Sequence, residues 1–266
     1  MNILQKIIAE SKIQLEQRKK DCPIEILEKT ISEREKKIVS FSAAFRDKNK
    51  VNIISELKKA SPSKGLIREN FEPKNLAIDL EKNGAAALSV LTEENYFLGS
   101  RENLIIARKF VDIPILRKDF FYDKYQIIEA KALGADAILL IAAALDTKQL
   151  KELYDFAYSI GLEVLFETHS EAEIEVALEI DAHIIGINSR NLKTFEVDLE
   201  QTAKMLDLIP NHKVKIMESG IKTPDDIRKI NNMYEFNGFL IGETLMRKND
   251  VGSFLKELIN ANSNNI

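Results

Sequence analysis

The stretch VNIISELKKASPSKG at residues 51–65 opens as a buried strand and closes as a loop. Val51, Ile53 and Ile54 are β-branched residues that suit a sheet. Glu56 and Lys58 follow directly, two residues apart. Side chains alternate faces along a strand, so these opposite charges share one face while Ser55 and Leu57 take the other. What that shared face looks into depends on the rest of the chain.

Seven further apolar runs follow: AALSVLT (86–92), IPILRK (113–118), DAILLIA (136–142), LEVLFET (162–168), HIIGIN (183–188), KVKIMES (213–219) and GFLIG (238–242). Helical stretches separate them. NLAIDLEKNG (75–84) and DKYQIIEAKALG (123–134) end on Gly84 and Gly134, which read as C-terminal caps. Thr223-Pro224-Asp225-Asp226 reads as an N-cap, a proline in the first turn and acidic residues that complement the helix dipole. Eight strands alternating with eight helices require parallel crossovers, and a closed (β/α)8 TIM barrel accounts for them. An open doubly wound sheet calls for a Gly-rich phosphate fingerprint after its first strand, and SELKKASPSKG has none. In the barrel, the apolar part of VNIISEL fills the interior. Glu56 and Lys58 then look into the mouth at the strand's carboxyl end.

Residues 1–40 read as helix, interrupted by a turn at Asp21, Cys22 and Pro23, with the second piece ending near Ile38. The expected organisation is an N-terminal helical extension over 1–48, packed on a single catalytic barrel domain over 49–266. With 266 residues, 45% of them hydrophobic and 30% charged, the chain has material for a sizeable core. A formal net charge of −4, with scattered Lys and Arg, argues against nucleic acid as a partner. Cys22 is alone, which gives no disulfide framework and no thiolate metal site. His169, His183 and His212 are too far apart for a metal motif and read as surface or loop residues. The first twenty residues are too charged for a signal peptide, and AILLIAAAL (137–145) is about half a membrane span. A cytoplasmic monomer without membrane contact is expected.

In this architecture chemistry sits at the carboxyl ends of the strands. Those ends carry Glu56 and Lys58, Thr92, Lys118 with Asp119, Glu167, Asn188, Glu218 with Ser219, and Gly242. Any one alone is a solvated strand end, but together at one mouth they form a confined polar site. After the seventh and eighth strands, Gly220 and Gly242 either permit tight turns or let backbone N–H groups and helix N-termini face an anion. KKASPSKG, bordering the site, is expected to lack regular structure and to move.

Taken in order, IISELKKASPSKG (53–65), SVLTEENYFLGS (89–100), ILRKDF (115–120), LFETH (165–169), IGINSRNL (185–192), ESGI (218–221) and FLIGETLM (239–246) make a specific set. With them the chain resembles the indole-3-glycerol phosphate synthase family of tryptophan biosynthesis over nearly its whole length. The resemblance implies a carboxy-lyase that closes the ring of 1-(2-carboxyphenylamino)-1-deoxyribulose 5-phosphate with loss of carbon dioxide and water. It implies no metal or organic cofactor, and a small phosphorylated substrate as partner. By matching position, Lys118 is the expected general acid, provided burial and neighbours lower its pKa toward neutrality. Glu167 handles the proton at dehydration and rearomatisation. Lys58 meets the substrate's anionic groups or serves as a second acid, with Glu56 holding it. Asn188 and Ser219 position, supported by Arg190 and Glu218, and Ser61 approaches the carboxylate. Phe97 and Phe120 flank the aromatic ring. The phosphate is expected on the backbone of Gly220, Gly242 and Glu243. The family often has a small residue where this chain has Glu243, so its side chain is expected to turn away.

Three rivals remain. A sugar-phosphate isomerase on the same scaffold typically works with an acid/base pair at strands one and five, and here Lys118 is an additional cation on strand three. A non-catalytic relative is expected to have lost Lys118, Glu167 or Glu56, and all three are present. A bifunctional polypeptide does not fit the length.

Overall fold

The computed structural model describes residues 3–34, 36–189, 202 and 204–262. All eight apolar runs form strands: β1 Ile53–Leu57, β2 Ala87–Leu91, β3 Ile115–Lys118, β4 Ala137–Ile141, β5 Glu163–Thr168, β6 Ile184–Asn188, β7 Val214–Glu218 and β8 Gly238–Ile241. Each pairs in parallel with its neighbours in chain order, and β8 closes on β1 through Ile53 opposite Phe239. The result is a (β/α)8 TIM barrel. The helices are α1 Ile3–Asp21 and α2 Ile24–Ser32 before the barrel, then α3 Pro73–Lys82, α4 Arg101–Phe110, α5 Lys124–Leu133, α6 Thr147–Ser159 and α7 Glu171–Glu179. After β7 come α8 Pro224–Asn231, and after β8 α9 Glu243–Met246 and α10 Val251–Ile259. Between β6 and β7 the described residues include a 3₁₀ turn, Met205–Leu208. Among the described residues no helix is long and apolar enough to cross a membrane.

Strand parity builds two cores. Ile54, Ala87, Leu116, Leu139, Leu165, Ile184, Ile216 and Leu240 fill the lumen, while Ile53, Val90, Ile115, Leu140, Val164, Ile185 and Met217 pack outward under the helices. Parallel strands buried on both faces read as continuous apolar runs, which is why these were visible in the sequence. The expectation that all of the apolar part of VNIISEL fills the interior needs correction. Ile54 does, but Val51 and Ile53 belong to the outer layer.

The helix termini follow from local chemistry. Gly134 adopts φ 100°, a left-handed cap that only glycine takes without cost. Thr223 caps α8 and Asp226 returns the bond, a complete capping box with Pro224 in the first turn.

The extension departs from the expected pattern. Its second helix stops at Ser32 instead of continuing to Ile38. Beyond it the chain is captured by the amino-terminal rim of the barrel. Arg34 donates to the carbonyls of Gly134 at 3.1 Å and Ala135 at 3.3 Å, and the Val39 amide donates to Asp136 Oδ1 at 2.9 Å. Ser40 Oγ donates to Glu163 Oε1 at 2.9 Å. A 3₁₀ turn, Ser42–Phe45, then inserts Phe41 and Phe45 into the lumen core, their rings edge to face at 5.2 Å. At the opposite end Leu4 and Ile8 of α1 enter the same cluster. One segment therefore supplies both floor and cover of the barrel. The loop after β1 is also more regular than expected, since Ala60–Ser61 and Gly65–Leu66 pair as a small antiparallel hairpin.

Phe45 has no exposed surface, and its ring occupies the space that a Cβ at Gly238 would need. Phe45→Ala is expected to cost about 3–5 kcal/mol, seen as a lower urea midpoint at unchanged slope. Ile13→Ala, on the 76% exposed face of α1, is expected to stay within about 0.5 kcal/mol. Equal costs for the two would show that Phe45 does not plug the floor.

Candidate active site

The carboxyl ends of the strands surround a cavity of about 760 Å³. From the sequence-predicted set it brings together Glu56, Lys58, Ser61, Phe97, Lys118, Phe120, Glu167, Asn188, Ser219, Gly220, Gly242 and Glu243. Glu218 is not on its surface but lies directly beneath, wholly buried. Arg190 lies outside the described residues.

The centre is Lys118. Its Nζ lies 2.7 Å from Glu218 Oε2, 3.5 Å from Glu167 Oε2 and 3.9 Å from Glu56 Oε1, so three strands each aim a carboxylate at one ammonium. Burial works to lower the pKa of Lys118, but the fields of Glu218, Glu167 and Glu56 together outweigh it and raise the group above an ordinary lysine. The lowering by burial and neighbours that the expectation required is therefore reversed, because the neighbours are three converging carboxylates.

The carboxylates differ from one another. For Glu167 burial opposes ionisation, but Lys118, His169 and Asn188 overcome it and hold the group below the usual carboxylate range. Glu56 is also lowered: burial opposes ionisation, and Lys58 and Lys118 prevail. Glu56 contacts Lys58 directly through Oε2, as strand parity required. Glu218 goes the other way. Burial, reinforced by Glu167 and only partly offset by Lys118, pushes it up to about 8. Its Oε1 is buried with no hydrogen-bond partner among the described residues, an environment that disfavours a charge.

Two glycines make this packing possible. A Cβ at Gly186 would overlap Glu218 Oε1, and a Cβ at Gly242 would overlap Glu56 Oε2. Gly242 thus has a role that neither sequence reading proposed: it clears room for the Glu56–Lys58 pair. Ser219, at φ 68°, and Gly220, at φ 86°, turn the chain through the left-handed region at the end of β7. For Ser219 that conformation is strained, of the kind that clusters at ligand sites.

The cavity lining also carries cations from three loops. Lys64, Lys222, Arg247 and Lys248 line it, and none was singled out from sequence because scattered surface cations carry no local pattern. Glu243 is engaged by Arg247, whose Nε donates to Oε1 at 3.1 Å. Just before α8, Asp226 Oδ2 accepts from the amides of Lys222 and Thr223 at 2.9 and 2.8 Å, so these two amides are already engaged.

The apolar wall comes from Phe97 and Phe120, ring centroids 6.2 Å apart, with Leu91, Leu139 and Ile141. Glu93 shapes the turn that carries Phe97, accepting the amides of Asn95, Tyr96 and Phe97 at 2.7–3.0 Å. Ile3, Leu4 and Ile7 of α1 complete the wall from the extension. Thr92 is turned aside, donating to Asp119 Oδ2 at 2.6 Å and accepting from Arg117, which is buried behind β3. Sequence reading also missed His169. It is a loop residue, as expected, in the turn after β5, but a largely buried one, 3.2 Å from Glu167 Oε1 and 3.4 Å from Glu173 Oε2. Its position two residues after Glu167, just past the end of β5, was the available signal.

A profile of the family described as indole-3-glycerol phosphate synthase matches residues 4–258 of the chain. The chain belongs to this family. Indole-3-glycerol phosphate synthase of Alkaliphilus metalliredigens is 46% identical over 256 residues, covering 96% of this chain and 97% of that protein. The enzyme of Campylobacter fetus is 45% identical over 260 residues, covering 96% and 98%. Among solved structures, tryptophan synthase alpha chain from Legionella pneumophila superposes with a TM-score of 0.61 at 12% identity, covering 85% of this chain and 98% of that one. 3-Hexulose-6-phosphate synthase from Salmonella typhimurium gives 0.59 at 12% identity, covering 79% and 98%. These two show the barrel alone. Family membership makes the chain a carboxy-lyase.

If the space at Gly186 is what lets Glu218 reach Lys118, Gly186→Ala is expected to lower turnover by about 10²-fold, the scale of an ångström's misplacement. Far-ultraviolet circular dichroism is expected to be retained. Wild-type turnover in this variant would remove Gly186 from the site's construction.

Proposed function

We propose that the chain converts 1-(2-carboxyphenylamino)-1-deoxyribulose 5-phosphate into indole-3-glycerol phosphate, carbon dioxide and water. The carrying observation is Lys118 held among Glu218, Glu167 and Glu56 in a cavity also lined by Lys64, Lys222, Arg247 and Lys248. The substrate has matching parts: an aromatic ring with a carboxylate, a ketone and a phosphate. Phe97 and Phe120 receive the ring, and Ser61 and Lys58 receive its carboxylate. The phosphate lies on the backbone of Gly220, Gly242 and Glu243 beneath Lys222, Arg247 and Lys248, with the Glu243 carboxylate kept by Arg247.

The aryl carbon that bears the carboxylate attacks the ketone carbon. The new carbon–carbon bond pushes the carbonyl electrons onto oxygen, and Lys118 transfers a proton to it as it becomes an alkoxide. An alkoxide is a strong enough base to take a proton from an ammonium of raised pKa, so Lys118 acts as an always-charged donor. Glu218, whose Oε2 accepts from Lys118 Nζ at 2.7 Å and whose pKa is pushed up to about 8, is placed to relay a proton back to Lys118. Loss of carbon dioxide returns its bonding electrons to the ring. Lys118, recharged from Glu218, then protonates the hydroxyl, which leaves as water, and ionised Glu167 takes the proton from the adjacent carbon to complete the indole. Asn188 and Ser219 position, with Glu56 fixing Lys58 and Arg190 in support.

The purified chain mixed with this substrate, without added metal, is expected to develop indole fluorescence. No signal at micromolar enzyme would overturn the proposal. Lys118→Ala is expected to lower turnover by roughly 10²-fold or more. Near-normal rates in that variant would move the acid's role to Lys58.

A further inference from the structure

Glu167 presents its two oxygens to different surroundings. Oε2 faces Lys118 at 3.5 Å, on the cavity side. Oε1 takes a hydrogen bond from Asn188 Nδ2 at 3.2 Å and lies 3.2 Å from His169 Nε2. The His169 contact is within ion-pair distance but is not a hydrogen bond. His169 does not line the cavity, so it cannot meet the substrate. It is held from behind by Glu173 in the first turn of α7, whose Oε2 accepts the His169 backbone amide at 2.8 Å and lies 3.4 Å from Nδ1.

Both ring nitrogens therefore face carboxylate oxygens. A neutral imidazole has one N–H and one lone pair, and here the lone pair would point at an anion whichever tautomer formed. Only the imidazolium suits both neighbours. Ser170, which caps α7, joins His169 to that helix.

We infer that His169, anchored by Glu173, is a positioning residue: as a buried imidazolium it fixes Oε1 of Glu167 and leaves Oε2 as the working oxygen. The charged groups that bear on the arrangement are Glu173 on His169 itself, and Lys118, Glu218 and Glu56 around Glu167. Burial acts to deprotonate His169, but the two carboxylates prevail and raise it to about 10. The device parallels β1, where Lys58 follows Glu56 by the same two-residue step. The difference is that Lys58 lines the cavity and His169 does not.

The inference rests on reading Glu167 as the proton-handling carboxylate, and its test separates the two. In the full chain labelled with ¹⁵N-histidine, the His169 ring is expected to stay protonated through pH 8.5 and titrate near 10. Coupling is reciprocal, so the fall in the His169 value on Glu167→Gln equals the help that Glu167 draws from it. A fall of about one unit, a tenfold change in the ionisation constant, is expected, with a comparable fall in Glu173→Gln. His169→Asn is expected to lower kcat about tenfold with KM within about twofold, because the ring stands behind the substrate site. A His169 titrating near 6.5, or unmoved by Glu167→Gln, overturns the inference, as does a wild-type kcat in His169→Asn. Should His169→Asn not fold, Glu173→Gln carries the kinetic arm, with kcat expected to fall severalfold. If Glu167→Gln keeps wild-type turnover, the proton-handling reading fails while the titration still decides the pairing. If Glu167→Gln is inactive and His169→Asn is not slowed, the positioning role alone fails.

Discussion

One ammonium among three carboxylates governs this molecule. Lys118 comes from β3, and its partners Glu56, Glu167 and Glu218 come from β1, β5 and β7, so the cluster exists only when the barrel is closed and every strand is in register. A slip of one residue on any of these strands would carry its charged group from the lumen to the helix side. Burying such charges is costly, and removing one partner leaves the others uncompensated. The cost falls on a scaffold with two continuous apolar layers, one inside the sheet and one outside. The site's chemistry is the arrangement of that charge: Glu56 and Glu167 held below the usual carboxylate range by cations, and Glu218 pushed above it by its enclosure.

The fold was legible because its strands are buried on both faces and so appear as uninterrupted apolar runs with caps and turns between them. Parity placed Glu56 beside Lys58 for the same reason. What sequence could not carry was the meeting of distant strands. Burial of Lys118 predicts a lowered pKa, and only the convergence of β1, β5 and β7 reverses it. Gly186 and Gly242 look like turn or flexibility residues until the carboxylates that occupy their missing side chains are in view. His169 is a lone histidine until α7 brings Glu173 behind it. The second helix continues on paper to Ile38, and it stops at Ser32 because Asp136, Glu163 and the carbonyls of Gly134 and Ala135 claim the chain that follows.

The extension links the stability of the barrel to the shape of the site. Its first helix lends Ile3, Leu4 and Ile7 to the cavity wall, and its last turn seats Phe41 and Phe45 below the same lumen. Arg18 and Arg117 meet at Glu129, which joins α1 to the strand that carries Lys118. A change that loosens the extension therefore alters both the apolar wall and the strand behind the ammonium.

The aromatic floor also has a consequence for synthesis. Phe45 accepts a hydrogen bond from Asn237, 192 residues later in the chain, and fills the space beside Gly238. A ribosome adding about 5–20 residues per second needs roughly ten to forty seconds to make that span. Throughout that interval the nascent chain carries Phe45 without the residues that complete its seat. An apolar side chain incompletely packed on an unfinished polypeptide is the kind of surface that holdase chaperones cover.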